Sequence, residues 1–246
     1  LEIRPSYAIL AEPTDLGIYR GHTGWARFDI VVQGPNPFDV DDAAEAIFRE
    51  LAARQSDTME ASRVEEQSVQ RPRFEAWNGF RRGVIGISSR LRQEEDSVSA
   101  GTMLKRQAAR VAESVSQVSV DVVIPRTKQQ LYTNRTTLTE TRVEAWEMDA
   151  YHPLVERARQ VLAAAGREPR VGKWSLPRIG MGTAGSVLSR EFQVPVIGYG
   201  PGVEQDCHAP NESVPVANIV DATNDLAAIC HGLVGVPVCG WTADEI

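Results

Sequence analysis

Cysteine, histidine and excess positive charge are all scarce in this sequence. Its 246 residues include three cysteines and four histidines. Cys207, Cys230 and Cys239 are odd in number and form no CxxC pair, which argues against a disulfide framework; a reducing, cytoplasmic setting is expected. Cys207 beside His208 stays open as a thiol ligand. Lys and Arg total 26 against 33 Asp and Glu, a net charge of −7. The basic residues are scattered rather than striped, so no nucleic-acid partner is expected. No apolar run approaches the length of a membrane span, so no membrane partner is expected either. An initiator Met and a basic-then-apolar leader are both missing from LEIRPSYAILAEP, and the chain is expected to begin part-way through a longer protein. Three catalytic signatures are absent too. There is no GxSxG elbow and no HExxH, and GMGTAGS (180–186) lacks the Gly-Lys-Ser/Thr ending of a phosphate loop.

What remains is ordinary globular material, 42% hydrophobic and 24% charged, enough for one large domain or two modest ones. YAILAEP (7–13) reads as a buried strand delivering Glu12 at its C-terminal end. Residues 18–34 read as one strand, followed by the turn Gly34-Pro35-Asn36-Pro37. Asp39 is the expected cap of a helix over 41–55. Further strands are predicted over 84–92 and 118–125, with a helix over 102–115 striped by Met103, Leu104, Ala108 and Val111. That order predicts two helices on one face of an antiparallel sheet. Residues 127–142 read as a polar hinge or a long hairpin. Beyond them come a helix over 152–166, a Gly-rich loop at 180–186, a strand and turn at 194–202, and a helix over 218–235 striped by Ile219, Leu226, Cys230 and Leu233. The alternation in this second half favours a parallel α/β layer.

Histidines are the first candidates for chemistry. His152 opens a helix as a cap, and His231 lies off the apolar stripe of the last helix. His22, between glycines in RGHTGW, is ambiguous. His208 follows a strand end, where open α/β folds place their ligands, although a loop histidine with no partner fits the spacing equally well. Glu12 is likewise either a ligand or the first hydrophilic residue after a core strand.

SYAILAEPTDLGIYRGHTGWARFDIVVQG resembles the "GEPT … G.KG" passage of the co-catalytic zinc metallopeptidases, a family that includes aminoacylase, acetylornithine deacetylase and succinyl-diaminopimelate desuccinylase. VPVIGYGPGVEQDCHAPNESVPVANI is similar to that family's closing motif, in which a strand and a GPG turn lead to a histidine and then Asn-Glu. The resemblance implies the C-terminal part of a zinc-exopeptidase-like α/β catalytic domain with a parallel or mixed sheet (1–17 and 143–246). It also implies an inserted α+β, ferredoxin-like lid and dimerisation domain (18–142). It makes Glu12 a carboxylate ligand of one Zn²⁺ and His208 an imidazole ligand of a second, with Co²⁺ or Mn²⁺ as alternative ions. Arg90 would grip a carboxylate of a small-molecule substrate, the other reading being an exposed strand arginine. Gly182 and Thr183 would lie in a substrate-facing loop, while Asn211 and Glu212 would fix the loop that carries His208. A homodimer through the lid is implied as well.

The family's remaining ligands (a histidine, a bridging aspartate and a Glu-Glu pair that includes the general base) precede the EPT motif, and none stands before Glu12 here. Taken alone, the chain is therefore expected to be a metal-free and inactive portion of an amide-bond hydrolase. GPNPFDVDDAAEAI also lacks the family's lid histidine. A degenerate, non-catalytic binding or scaffolding member, or one subunit of a split enzyme, is the alternative.

Overall fold

In the computed structural model, residues 5–58, 67–115, 117–176 and 178–234 are described. The tail CGWTADEI (239–246), with Cys239, lies outside them. In chain order the elements are β1 (Ala8–Leu10), β2 (Ile18–His22), β3 (Gly24–Gly34), α1 (Pro37–Thr58), β4 (Gln67–Val69), β5 (Arg73–Trp77), β6 (Phe80–Leu91), α2 (Ser97–Ala112), β7 (Ser119–Val123), β8 (Arg126–Gln130) and β9 (Thr136–Glu140). There follow β10 (Arg142–Val143), β11 (Trp146–Glu147), α3 (Pro153–Ala164), β12 (Val171–Trp174), α4 (Gly185–Arg190), β13 (Val196–Gly198), a 3-10 turn at Glu204–Asp206, and α5 (Val216–Val234). They fall into two units. One holds Leu1–Thr23, Trp146–Leu176 and Gly182–Ile246, and the other Gly24–Ala145 and Pro177–Met181. No helix among the described residues is long and apolar enough to cross a membrane.

The run read as a single strand over 18–34 is two strands, one in each unit. The glycines on either side of Thr23 show why. A Cβ at Gly21 would overlap the Trp146 carbonyl, and one at Gly24 would come within 2.5 Å of Ala145 N and Val143 O. Backbone passes too close on both sides for any other residue.

In the unit that begins at Gly24, all strand pairings are antiparallel, in the order β10-β3-β6-β4, with β5 on β6 and β7 on β3. β3 alternates buried and half-buried residues at the two-residue period of a strand. Ile30, Val32, Ile85 and Ile87 therefore share one face, where they meet Val40, Ala43, Ala44, Ile47 and Leu51 of α1 and Ala108 and Ala112 of α2. Helices on one face of an antiparallel sheet is the arrangement the order of elements predicts. Two local details differ. Asn36, not Asp39, caps α1, its Oδ1 accepting from Phe38 N at 3.0 Å. In α2 the inward line is Leu104, Ala108 and Ala112, with Met103 left 64% exposed; Asp96 caps this helix from Ser99 N and starts it earlier than the stripe implied. The polar 127–142 segment is a hairpin, β8 against β9.

The other unit holds a mixed sheet rather than a parallel one. Its order is β1-β13-β2-β11, with β12 also on β2. β1 runs parallel to β13 and β12 parallel to β2, while β13 and β11 run antiparallel to β2. α3 starts at His152, whose Nδ1 accepts from Leu154 N at 3.1 Å, the expected cap. α5 buries Ala222, Asp225, Ile229 and Gly232, whereas Ile219 and Cys230 are exposed. The predicted stripe is therefore rotated. The true inward face is set by a glycine pressed on Val161 and by a buried aspartate, neither of which a hydrophobic pattern selects.

Candidate functional site

The residues Glu12-Pro13-Thr14 leave the C-terminal end of β1 and meet Gly198–Gly202 leaving the parallel strand β13. Crevices at carboxyl ends of strands are where open α/β sheets bind ligands. The two turns are fastened by backbone. Tyr199 N donates to Leu10 O at 2.9 Å, Asp15 N to Gly202 O at 2.8 Å and Leu16 N to Gly200 O at 3.0 Å. Thr14 completes the lock: its buried Oγ1 accepts from Gly200 N at 2.9 Å and donates to Gly200 O at 3.3 Å. Gly200 has to be glycine, because a Cβ there would overlap the Glu12 carbonyl; a Cβ at Gly202 would stand 2.9 Å from Pro13 Cβ. Trp174 Nε1 holds the Pro13 carbonyl at 2.9 Å from the far side.

Both arms of the junction carry non-glycine residues with left-handed backbone, Asp15 (φ 50°) and Leu16 (φ 59°) on one, His208 (φ 55°) and Asn211 (φ 63°) on the other. Such conformations are uncommon, each costs on the order of 1–3 kcal/mol, and they cluster where geometry serves function. The loop after the GPG turn is held by its own acid, His208 N donating to Glu212 Oε2 at 3.0 Å.

His208 is exposed and Glu12 half-buried. Burial pushes the Glu12 carboxyl above its usual range, and the nearby His208 acts against that rise. The two residues that are 196 positions apart thus stand within electrostatic reach of each other. Cys207 is a poorer donor. Burial first, then Glu212, Glu204, Glu12 and Asp206, push its thiol up to about 11, and its Sγ lies 3.5 Å from Val203 O. Glu204, 4% exposed, ties the end of β12 to this loop by accepting from Leu176 N and from Ser175 Oγ.

A carboxylate oxygen and an imidazole nitrogen are suitable donors for Zn²⁺. Among the described residues, however, no group of three or more His, Cys, Asp and Glu is gathered to hold a metal ion. The donor set fits the metal in kind, and it is short in number for tight binding.

His22 is 2% exposed and has a structural task. Its Nε2 accepts from Thr183 N at 3.1 Å, so its proton lies on Nδ1, which faces Thr23 O at 2.7 Å. Thr183 Oγ1 in turn accepts from Trp146 Nε1 at 3.3 Å and Gly185 N at 3.2 Å. The Gly-rich loop is pinned at Thr183, while Gly182 beside it is exposed. Arg90 lies on β6 opposite Trp25 and is only 7% exposed. The picture of an exposed strand arginine does not hold.

Sequence reasoning missed Thr14, Tyr199 and Asp225. Tyr199 OH donates to Asp225 Oδ2 at 2.7 Å, and Arg167 bridges Asp225 and Asp221. This buried network anchors the GYG turn to α5 and raises the Tyr199 phenol well above its ordinary range, by burial and by its bond to Asp225. The signal for Thr14 was its place directly after Glu-Pro, two residues from Glu12. Asp225 gave none beyond being a polar residue amid helical hydrophobics.

No family model matches the chain. It is 25% identical, over 92% of its length, to an uncharacterized protein of Escherichia coli, YgeY, and spans 57% of that relative's length. In structure it is similar to aminopeptidase PepT of Bacillus cereus, with a TM-score of 0.58, 15% identity, and coverage of 94% of this chain and 58% of that one. It is also similar to YXEP of Bacillus subtilis, a dinuclear metal binding peptidase from the M20 family, with a TM-score of 0.59, 16% identity, and coverage of 93% and 56%. These likenesses establish the fold: a mixed α/β sheet unit and an antiparallel α+β unit as in those peptidases.

Proposed function

We propose that the chain is part of a metal-dependent amide-bond hydrolase acting on small N-acyl amino acids or peptides. One observation carries the reading: Glu12 and His208, from distant parts of the chain, come within electrostatic reach at the locked ends of β1 and β13. Glu12 holds one Zn²⁺ through its carboxylate and His208 a second through its imidazole, with Co²⁺ or Mn²⁺ as substitutes. When bound, such a pair supplies Lewis-acid polarisation of the scissile carbonyl and a water acidified toward neutral pH. The further ligands and the general base are supplied by residues outside these 246. Arg90 takes the substrate carboxylate, Gly182 and Thr183 face the substrate, and two copies pair through the Gly24–Ala145 unit in the cytoplasm.

Glu12 does not need an ordinary acidity to serve. Its raised pKa reflects a carboxylate desolvated by burial, an electrostatic deficit that a divalent cation makes good. In the whole protein, His208→Ala and Glu12→Gln should each lower bound metal, measured by elemental analysis, and abolish hydrolysis of N-acetyl amino acids. Unchanged metal content and rate in both variants would sink the assignment.

A further inference from the structure

The unit that begins at Gly24 has a second sheet face, opposite its two helices, and that face holds a cavity of about 290 Å³ lined by Asp29, Arg73, Phe74, Glu75, Arg82 and Val84. Strand parity explains the lining. Ile30, Ile85 and Ile87 point to the helices, so Asp29, Arg82 and Val84 point away. Residue 86, directly opposite Asp29, is glycine, and the ends of the Gln70 and Arg27 side chains lie over it. β5 brings Arg73 beside Val84 and Glu75 beside Arg82.

The chemistry of this cavity is unfinished in a paired way. Among the described residues, Asp29 Oδ1 and Arg82 Nε are buried polar atoms with no hydrogen-bond partner, and both residues line the cavity. Arg27 Nε stands 3.7 Å from Asp29 Oδ1, a charge neighbour beyond hydrogen-bond distance. Arg82 is fixed in place, its Nη1 on Glu75 Oε1 at 3.0 Å and its guanidinium 5.0 Å from the centre of the Trp77 ring. Arg73 at the rim is exposed and makes no ion pair among the described residues. A buried polar atom left unpaired is costly and calls for a partner.

We propose that this cavity binds a small zwitterion, a free α-amino acid, with its ammonium on Asp29 and its carboxylate on Arg82 and Arg73. Charge complementarity selects this class. An anion alone would meet the Asp29 carboxylate, and a cation alone would meet the guanidinium groups of Arg82 and Arg73 as well as that of Arg27 beside Asp29. The volume lies at the lower end for ligand pockets, and Val84 offers a wall for a short apolar side chain. The site lies wholly within one unit and does not depend on the metal assignment.

The test is ¹H–¹⁵N NMR of the full chain titrated in parallel with L-alanine, acetate and methylammonium. L-Alanine should shift the amides of Asp29, Arg73, Arg82 and Val84 saturably, with acetate and methylammonium each roughly tenfold weaker. Asp29→Asn, which keeps the side-chain shape, should weaken L-alanine roughly tenfold, and Arg73→Ala, an exposed change that leaves folding untouched, should weaken it measurably. No saturable shift would mean that the cavity holds water alone, and acetate binding as tightly as L-alanine would mean a simple anion site. Either result overturns the proposal, as would unchanged L-alanine affinity in Arg73→Ala.

Discussion

GYGPG (198–202) and GMGTAGS (180–186) look alike in sequence, yet their glycines answer to different constraints. In the first, every glycine faces something that cannot move aside. Gly198 lies against the Trp174 ring, Gly200 against the Glu12 carbonyl and Gly202 against Pro13. In the second, Gly180 has open space around it and is glycine for its backbone, at φ 100°, while Gly185 is pressed by the Trp146 ring. The first turn is a close backbone junction that aims a carboxylate. The second is a loop held by hydrogen bonds at Thr183. Composition marks both as turns and says nothing of this difference.

Substituting into each turn separates the two. Gly200→Ala should have the largest effect, about 3 kcal/mol of lost stability in a urea melt, because the clash is with backbone and no rotamer relieves it. Behind the same junction, Tyr199→Phe leaves Asp225 Oδ2 buried without its donor and should cost about 2 kcal/mol, that bond being to a carboxylate. Gly180→Ala should cost only about 1 kcal/mol, the strain of a left-handed backbone with no clash added. An alanine at 180 as damaging as the one at 200 would show that both turns are held by close backbone approach.

The smallest effect concerns pH. Burial raises the Glu12 carboxyl above its unfolded value of 4.5, so between the two values the folded chain binds more protons than the unfolded one, and stability falls as pH rises through that window. In the metal-free protein Glu12→Gln should therefore raise the melting temperature slightly at neutral pH. That gain should vanish below the ordinary carboxylate range. A variant less stable than the parent at neutral pH would show that Glu12 is held by partners rather than strained by burial.

How much of this was legible in the residues varied with the physics involved. The antiparallel unit was, because period-two alternation in β3 and the alanine-rich faces of α1 and α2 encode its layers directly. The EPT and GPG stretches were recognisable as strand ends. Their mutual lock was not, since Thr14 and Gly200 lie 186 positions apart and nothing local announces a contact at that distance. The split of β2 from β3 was hidden because both flanks of Thr23 have strand composition. The face of α5 was misread because its inward residues include Asp225 and Gly232, chosen by pairing and close approach rather than by hydrophobicity.

The meeting of Glu12 and His208 is the central claim, and Mn²⁺-induced line broadening measures it most directly. In ¹H–¹⁵N spectra of the chain titrated with Mn²⁺, the amides around Glu12 and those of the 205–212 loop should broaden together at the lowest metal concentrations. His208→Ala should weaken both sets at once. Broadening of one set without the other, or first broadening at a site remote from both, would contradict the account.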